Sequence, residues 1–185
     1  LKRDPNDIRI NNAYGRLLMR RGLFAESEKH FRRAVERLTE KNPNPYDSEA
    51  YYNLGLSLKY QEQYDQAFSA FHKAIWSGEF HDRGYYELAA LAYRKGEIVD
   101  ALEYIEKSII KNYHSPKSRN LKTSILRKLK KFKKAENLAE ETLKIDKLDF
   151  GARNELYLLF KLEGKKERAE EIRLELIELM RDDYH

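Results

Sequence analysis

One spacing governs this chain. Ala67, Ala101, Ala135 and Ala169 follow one another at intervals of 34 residues, each at the same point of a helix–turn–helix pattern. The pattern is plainest from Ser48 to Phe80. There Tyr51, Leu54, Gly55 and Leu58 recur at three- and four-residue spacing, Gln61-Glu62-Gln63 interrupts them, and Ala67, Phe71 and Ala74 resume the rhythm. Two amphipathic helices facing each other require that spacing. A lone helix pair cannot bury its apolar face, so the unit is expected to stack on copies of itself. Backwards from Ala67, Tyr14-Gly15, Leu18, Gly22, Phe31 and Ala34 align with Leu54-Gly55, Leu58, Glu62, Phe71 and Ala74 at a shift of 40, which leaves residues 42–47 as an insertion.

With Trp or Tyr, Leu-Gly, Tyr, Ala, Phe, Ala and Pro at fixed offsets, the sequence resembles the tetratricopeptide repeat family over nearly all of its 185 residues. The resemblance implies an all-α, right-handed solenoid of antiparallel helix pairs, with five repeats (8–41, 48–81, 82–115, 116–149 and 150–183) in one domain. Residues 1–7 are expected to be the tail of an earlier repeat, in a chain cut from a longer protein. Two prolines and two asparagines make 42–47 an expected spacer loop, with Asp47 or Ser48 capping the next helix. In the first repeat, helices are expected at about 8–21 and 25–40. Gly22, Gly96 and Gly164 fall at the turn inside a repeat, a position held by Lys130 in the fourth. The match weakens towards the C-terminus: the Phe31/Phe71 site becomes Ile105, Ala139 and Arg173, while the Gly15/Gly55 site becomes Ala89, Thr123 and Tyr157. Arg173 makes the last helix, about 166–180, read as a polar cap; Ile172, Leu176, Leu179 and Met180 are the alternative, an apolar edge for another copy or domain.

Charged residues make up 36% of the chain, its net charge is +5, and it has no cysteine, so disulfides and thiolate chemistry are excluded. His30, His72, His81, His114 and His185 show no metal-ligand spacing and are expected at the surface. There is neither a glycine-rich phosphate loop nor a G-x-S-x-G elbow. No catalytic residue, metal or cofactor is therefore expected, and the chain reads as a non-enzyme. No apolar run approaches the roughly 18 residues of a spanning helix, so no membrane partner is expected; the lack of cysteine permits a reducing cytoplasm, which is the expected location. Five of the seven residues from Lys128 to Lys134 are lysine. Together with Lys117, Arg119, Lys122 and Arg127 they could form an anionic-surface patch, but without a stacking platform a solvated face is expected rather than nucleic-acid binding.

In this family the first helix of each repeat lines a concave groove. Carried over, that places Asn12, Tyr52, Tyr86, Asn120 and Asn154 at one site per repeat. A second site holds Arg16, Leu56, Ala90, Ser124 and Leu158, and a third Arg20, Tyr60, Arg94, Lys128 and Leu162. Asn offers amides to an extended backbone, Tyr an apolar face with a polar tip, and Arg16, Arg83, Arg94 and Arg127 pairing for carboxylates. The carboxylate clamp of some members falls on Asn12, Arg16, Asn53, Arg83 and Glu87. Only Asn53 and, by charge, Arg83 agree, so that activity is not expected. The expected function is a protein-interaction scaffold that holds a peptide or a neighbouring domain. Three phrases, NPNPYDSEAYYNLGLSLKY, SRNLKTSILRKLKKF and DKLDFGARNELYLLF, resemble the C-terminal repeats of large bacterial proteins that carry a mutarotase-like β-sandwich. That resemblance implies, as an alternative, a regulatory or oligomerising arm of a carbohydrate-active enzyme.

Overall fold

The computed structural model describes residues 4–40, 42, 45 and 47–182. Most of the 42–47 insertion and the ends of the chain lie outside them. Among the described residues the secondary structure is α1 (Ile8–Arg20), α2 (Phe24–Thr39), α3 (Glu49–Tyr60), α4 (Tyr64–Ala74), a 3-10 turn (Gly78–Phe80), α5 (His81–Lys95), α6 (Ile98–Lys111), α7 (Pro116–Lys128), α8 (Phe132–Ile145), α9 (Phe150–Leu162) and α10 (Lys166–Asp182), with no strand. The chain forms two compact units, Leu1–Leu91 and Ala92–His185.

One turn closes all five helix pairs. The amide of Leu23 donates to the carbonyl of Leu18 across the turn, and Gln63 to Leu58, Glu97 to Ala92, Lys131 to Leu126 and Lys165 to Phe160 do the same, all at 2.9–3.0 Å. The residue before each of these donors is left-handed: Gly22, Glu62, Gly96, Lys130 and Gly164, with φ between 57° and 84°. This is the Schellman closure, in which glycine avoids the Cβ penalty. Glu62 and Lys130 bear it. Four residues after each donor sits a small side chain, Ser27, Ala67, Ala101, Ala135 or Ala169, and all five are buried. The 34-residue spacing in the sequence is the spacing of these buried contacts.

In unit 1 the helix pairs close tightly. A Cβ on Gly15 would stand 2.6 Å from the Phe31 ring, and one on Gly55 would stand 2.6 Å from the Phe71 ring. Hydrogen there lets each ring, fully buried, lie flat on a helix backbone. Between repeats, α2 joins α3 through the Ser27 and Ser57 hydroxyls, 2.8 Å apart, and Ser57 Oγ also donates to the Phe24 carbonyl. Asp47 accepts the Glu49 amide at the start of α3, while the Ser48 hydroxyl turns away from capping and donates to the Ala74 carbonyl at 2.6 Å.

Unit 2 spreads its closure over smaller residues and charges. Leu156 and Phe160 of α9 pack with Ala139 of α8 and Ala169 of α10; Leu159 packs with Ala135 and Leu126. Arg119 is only 1% exposed. Its Nε donates to Thr142 Oγ1 at 2.9 Å, an Nη to Glu141 at 3.1 Å, and its guanidinium lies 4.7 Å from the Tyr113 ring centre. The expectation of Arg119 in a surface patch is corrected here, because a planar cation with three partners tolerates burial that lysine does not.

Candidate functional site

The first helices carry the residues expected to line a groove, and the structure sorts them by what they already touch. In unit 1, Asn12 and Asn53 do not stand free. Each is 6% exposed, and Asn53 Nδ2 donates to Asn12 Oδ1 at 2.8 Å between α1 and α3. Tyr52 turns its ring inward, 5.2 Å from the Phe80 ring and 5.8 Å from the Phe71 ring. Its hydroxyl pKa is raised, first by burial and then by the charge of Glu87. Tyr86, half-buried, is raised for the same two reasons, so both phenols stay protonated. Glu87 is itself buried and receives Lys59 Nζ at 2.6 Å.

Around this neutralised centre stand the accessible groups. Tyr60 is 54% exposed and stacks on Phe24, with ring centres 4.8 Å apart and planes 19° from parallel. Arg83 is exposed at the start of α5. Arg16 is exposed and holds Glu49 at 2.6 Å, an ion pair on the open surface. Such a pair is worth about 0–1 kcal/mol, so Arg16 can exchange it for another carboxylate at little cost.

In unit 2 the expected residues are mostly committed. Arg127 grips Glu155 with two nitrogens, at 2.8 and 3.3 Å, and both side chains are largely buried, which corrects the expectation of a guanidinium open to ligands. Asn120 donates to Asp149 at 2.8 Å, while its buried Oδ1 has no hydrogen-bond partner. Asn154 is half-buried and Arg94 exposed. Of the lysine-rich run, Lys133 lies 3.6 Å from Glu136, which Arg168 reaches at 2.7 Å. Burial alone would raise the Glu136 pKa, yet the Arg168 hydrogen bond and the charges of Lys133, Lys165 and Arg168 outweigh it and hold the carboxyl below its usual range. Lys122 is paired with Glu106 at 3.0 Å.

Sequence reasoning missed a cleft of about 470 Å³ between the second helices α2 and α4, floored by Tyr51, Leu54 and Leu58 of α3 and walled by Val35 and Ala70. Arg32 bridges it to Gln66 at 2.8 Å. These residues read as ordinary core. Only the separation of the second helices leaves the floor open. His30, expected at the surface, is instead half-buried, with Nδ1 2.9 Å from Asn11 Oδ1 and its ring edge-on to Tyr14. Among the described residues no three His, Asp or Glu side chains converge as a metal site, and no helix is long and apolar enough to cross a membrane.

Helix pairs repeated around one turn define an all-helical repeat protein of the solenoid class. The repeat can be named more closely. Two family models, both described as tetratricopeptide repeat, match residues 7–75 and 52–115, together more than half of the chain, and the chain belongs to that family. Solved structures agree. A MamA fragment (41-end) from Desulfovibrio magneticus RS-1 superposes with a TM-score of 0.82 at 17% identity, covering 97% of each chain. YrrB, a TPR protein with an unusual peptide-binding site, gives 0.75 at 18%, covering 98% of this chain and 90% of its own. A tetratricopeptide repeat protein from Parabacteroides merdae ATCC 43184 gives 0.80 at 20%, covering 96% of this chain and 68% of its own. At these identities the likeness establishes the fold. Tetratricopeptide repeats generally mediate protein–protein interactions, and the fold is generally a non-catalytic scaffold.

Proposed function

We propose that unit 1 binds an extended, acidic peptide segment, from a partner protein or a neighbouring domain of the same parent, on the face formed by its first helices. The observation that carries this reading is the contrast in commitment. Arg127 is locked into a shielded pair, whereas Arg16, Arg83 and the Tyr60–Phe24 stack stand at the surface. Guanidinium groups pair with carboxylates and the aromatic stack offers a flat apolar contact at low entropic cost. The Asn12–Asn53 and Lys59–Glu87 contacts hold the helices beneath that surface and are scaffolding. The peptide-binding site named for YrrB supports the ligand class.

The test is affinity capture from lysate followed by mass spectrometry, comparing the wild-type chain with a triple variant (Arg16→Ala, Tyr60→Ala, Arg83→Ala) and with Val99→Ala, an exposed change elsewhere. The expected result is a protein retained by wild type and Val99→Ala and lost by the triple variant, with equal helicity by circular dichroism. Equal capture by all three, or none by any, rejects the reading.

A second reading rests on the three bacterial-type phrases in the sequence. In it the repeats serve as a regulatory or oligomerising arm of a carbohydrate-active enzyme in a bacterial cytoplasm. Deleting them from the parent protein is expected to lower activity or assembly; both unchanged would remove it.

A further inference from the structure

Two clefts of the same register carry opposite charge, and the protein answers one of them from within. In unit 2 the cleft between the second helices α6 and α8 has a carboxylate on each wall, Glu106 and Glu141. Helix α7 beneath supplies a cation to each: Lys122 reaches Glu106 at 3.0 Å and Arg119 reaches Glu141 at 3.1 Å. In unit 1 the repeat register puts Arg32 in the place of Glu106 and Lys73 in the place of Glu141, so the cleft between α2 and α4 has a cation on each wall. At the matching places on α3 stand Leu54 for Lys122 and Tyr51 for Arg119, and neither brings an anion.

Both cations are held by exchangeable partners. Arg32 takes Glu28 of its own helix at 2.7 Å, an i,i+4 pair at the surface, and Gln66 across the cleft at 2.8 Å. Lys73 Nζ lies 4.1 Å from the centre of the exposed Trp76 ring and forms no ion pair among the described residues. Below them the floor is apolar, and Ala70 stands where unit 2 narrows its cleft with Leu138. The resulting volume of about 470 Å³ is that of a small-molecule site. The one carboxylate among the described lining residues, Asp65, is already engaged and stands in the first turn of α4, about two helical turns before Lys73. An anionic head is thereby directed to Lys73 and away from Asp65.

We infer that the second-helix cleft of unit 1 binds a small amphipathic carboxylate. Its alkyl or aryl body lies on Tyr51, Leu54 and Leu58, and its carboxylate draws Lys73 off the Trp76 ring, with Arg32 on the facing wall. The ligand supplies from outside the counter-charge that unit 2 carries on α7, and removal of its apolar body from water adds to the attraction. Arg16, Tyr60 and Arg83 take no part in the site, so its test is independent of the peptide reading.

Octanoate is the probe and octanol its uncharged counterpart, each titrated while NMR follows the amide signals of α2 and α4 and the indole of Trp76. Wild type is expected to show saturable shifts there and to bind octanoate at least tenfold more tightly than octanol. The double variant Arg32→Gln, Lys73→Gln, at two positions that are not buried, is expected to lose that preference and still bind octanol. Ala70→Leu, which rebuilds the wall of unit 2, is expected to weaken both ligands at least tenfold, with helicity by circular dichroism equal throughout. Shifts that are absent, unsaturable or confined to other helices, equal affinity of wild type for the two probes, or a double variant that keeps the preference overturns the inference.

Discussion

The two units solve one packing problem with different volumes. In unit 1 a glycine on the first helix meets a phenylalanine on the second, twice: Gly15 with Phe31 and Gly55 with Phe71. In unit 2 the same two sites hold Thr123 with Ala139 and Tyr157 with Arg173. As the first-helix residue grows, the second-helix residue shrinks or turns outward. The two sizes trade against each other, so that a large residue on one helix never meets a large buried one on the other, as a close-packed interior demands. The clefts over the middle helices differ in the same spirit. In unit 1 the floor is Tyr51, Leu54 and Leu58; in unit 2 the cleft at that register is about 320 Å³ and is crossed by the Lys122–Glu106 ion pair. One unit leaves an apolar gap and the other fills it with its own charges.

The sharpest way to break this comparison is to exchange the pairs. Gly55→Thr is expected to cost about 3 kcal/mol, because the new side chain enters the Phe71 ring. Adding Phe71→Ala, which rebuilds the Thr123–Ala139 pair, is expected to cost less than the two single changes summed, by about 1 kcal/mol or more. Hydrogen exchange at α3 and α4 amides reads this locally; strict additivity would sink the pair-volume account.

A smaller effect is expected where charge replaces apolar surface. Arg119→Ala should cost about 2 kcal/mol through lost packing and the lost donor to the buried Thr142 hydroxyl, which keeps its bond to the Leu138 carbonyl, while the remaining Glu141 is half exposed and keeps its water. The reciprocal change, Tyr51→Arg in unit 1, should also destabilise, because Lys73 stands where unit 2 has Glu141. Urea denaturation of both variants checks the pair of signs.

At the shared turn the direction reverses. Lys130→Gly and Glu62→Gly should each stabilise by about 0.5–1 kcal/mol, the relief of a left-handed side chain exceeding the added freedom of the unfolded chain. Gly22→Ala and Gly96→Ala should do the opposite.

The smallest effect belongs to His30, whose pKa is lowered first by burial and then by Arg33. Above roughly pH 6.5 the ring is neutral in both folded and unfolded chains, and its contribution is complete. As pH falls from there through the lower folded value, the unfolded chain takes the proton more readily and stability is lost. His30→Gln should flatten that part of the stability profile, measured by thermal unfolding from pH 7.5 to 5.

The fold was legible because burial recurs at fixed intervals: Ala67, Ala101, Ala135 and Ala169 are all buried, and Gly22, Gly96 and Gly164 take the left-handed conformation their position requires. The surface was legible in part. Asn12, Asn53 and Arg119 look solvent-facing by residue type. What buries them is a tertiary partner from another helix: Asn53 for Asn12, and Thr142 for Arg119. No local pattern distinguishes an amide that awaits a ligand from one already answered across a helix pair. Ser48 teaches the same limit, because its hydroxyl fits a cap by position and is drawn off by the Ala74 carbonyl.

The ion pairs that cross repeat borders in unit 2 give its repeats a fixed order. Lys122 answers Glu106, Arg127 answers Glu155, and Arg168 answers Glu136, each from a different repeat than its partner. Excising the fifth repeat would leave Arg127, its side chain 13% exposed in the intact unit, without its counter-charge, and Glu136, 6% exposed, with only the longer Lys133 contact of 3.6 Å. A segment of this molecule is therefore not an interchangeable bead. Its two neighbours are written into its charges, and gain or loss of a repeat here would have to bring compensating substitutions with it.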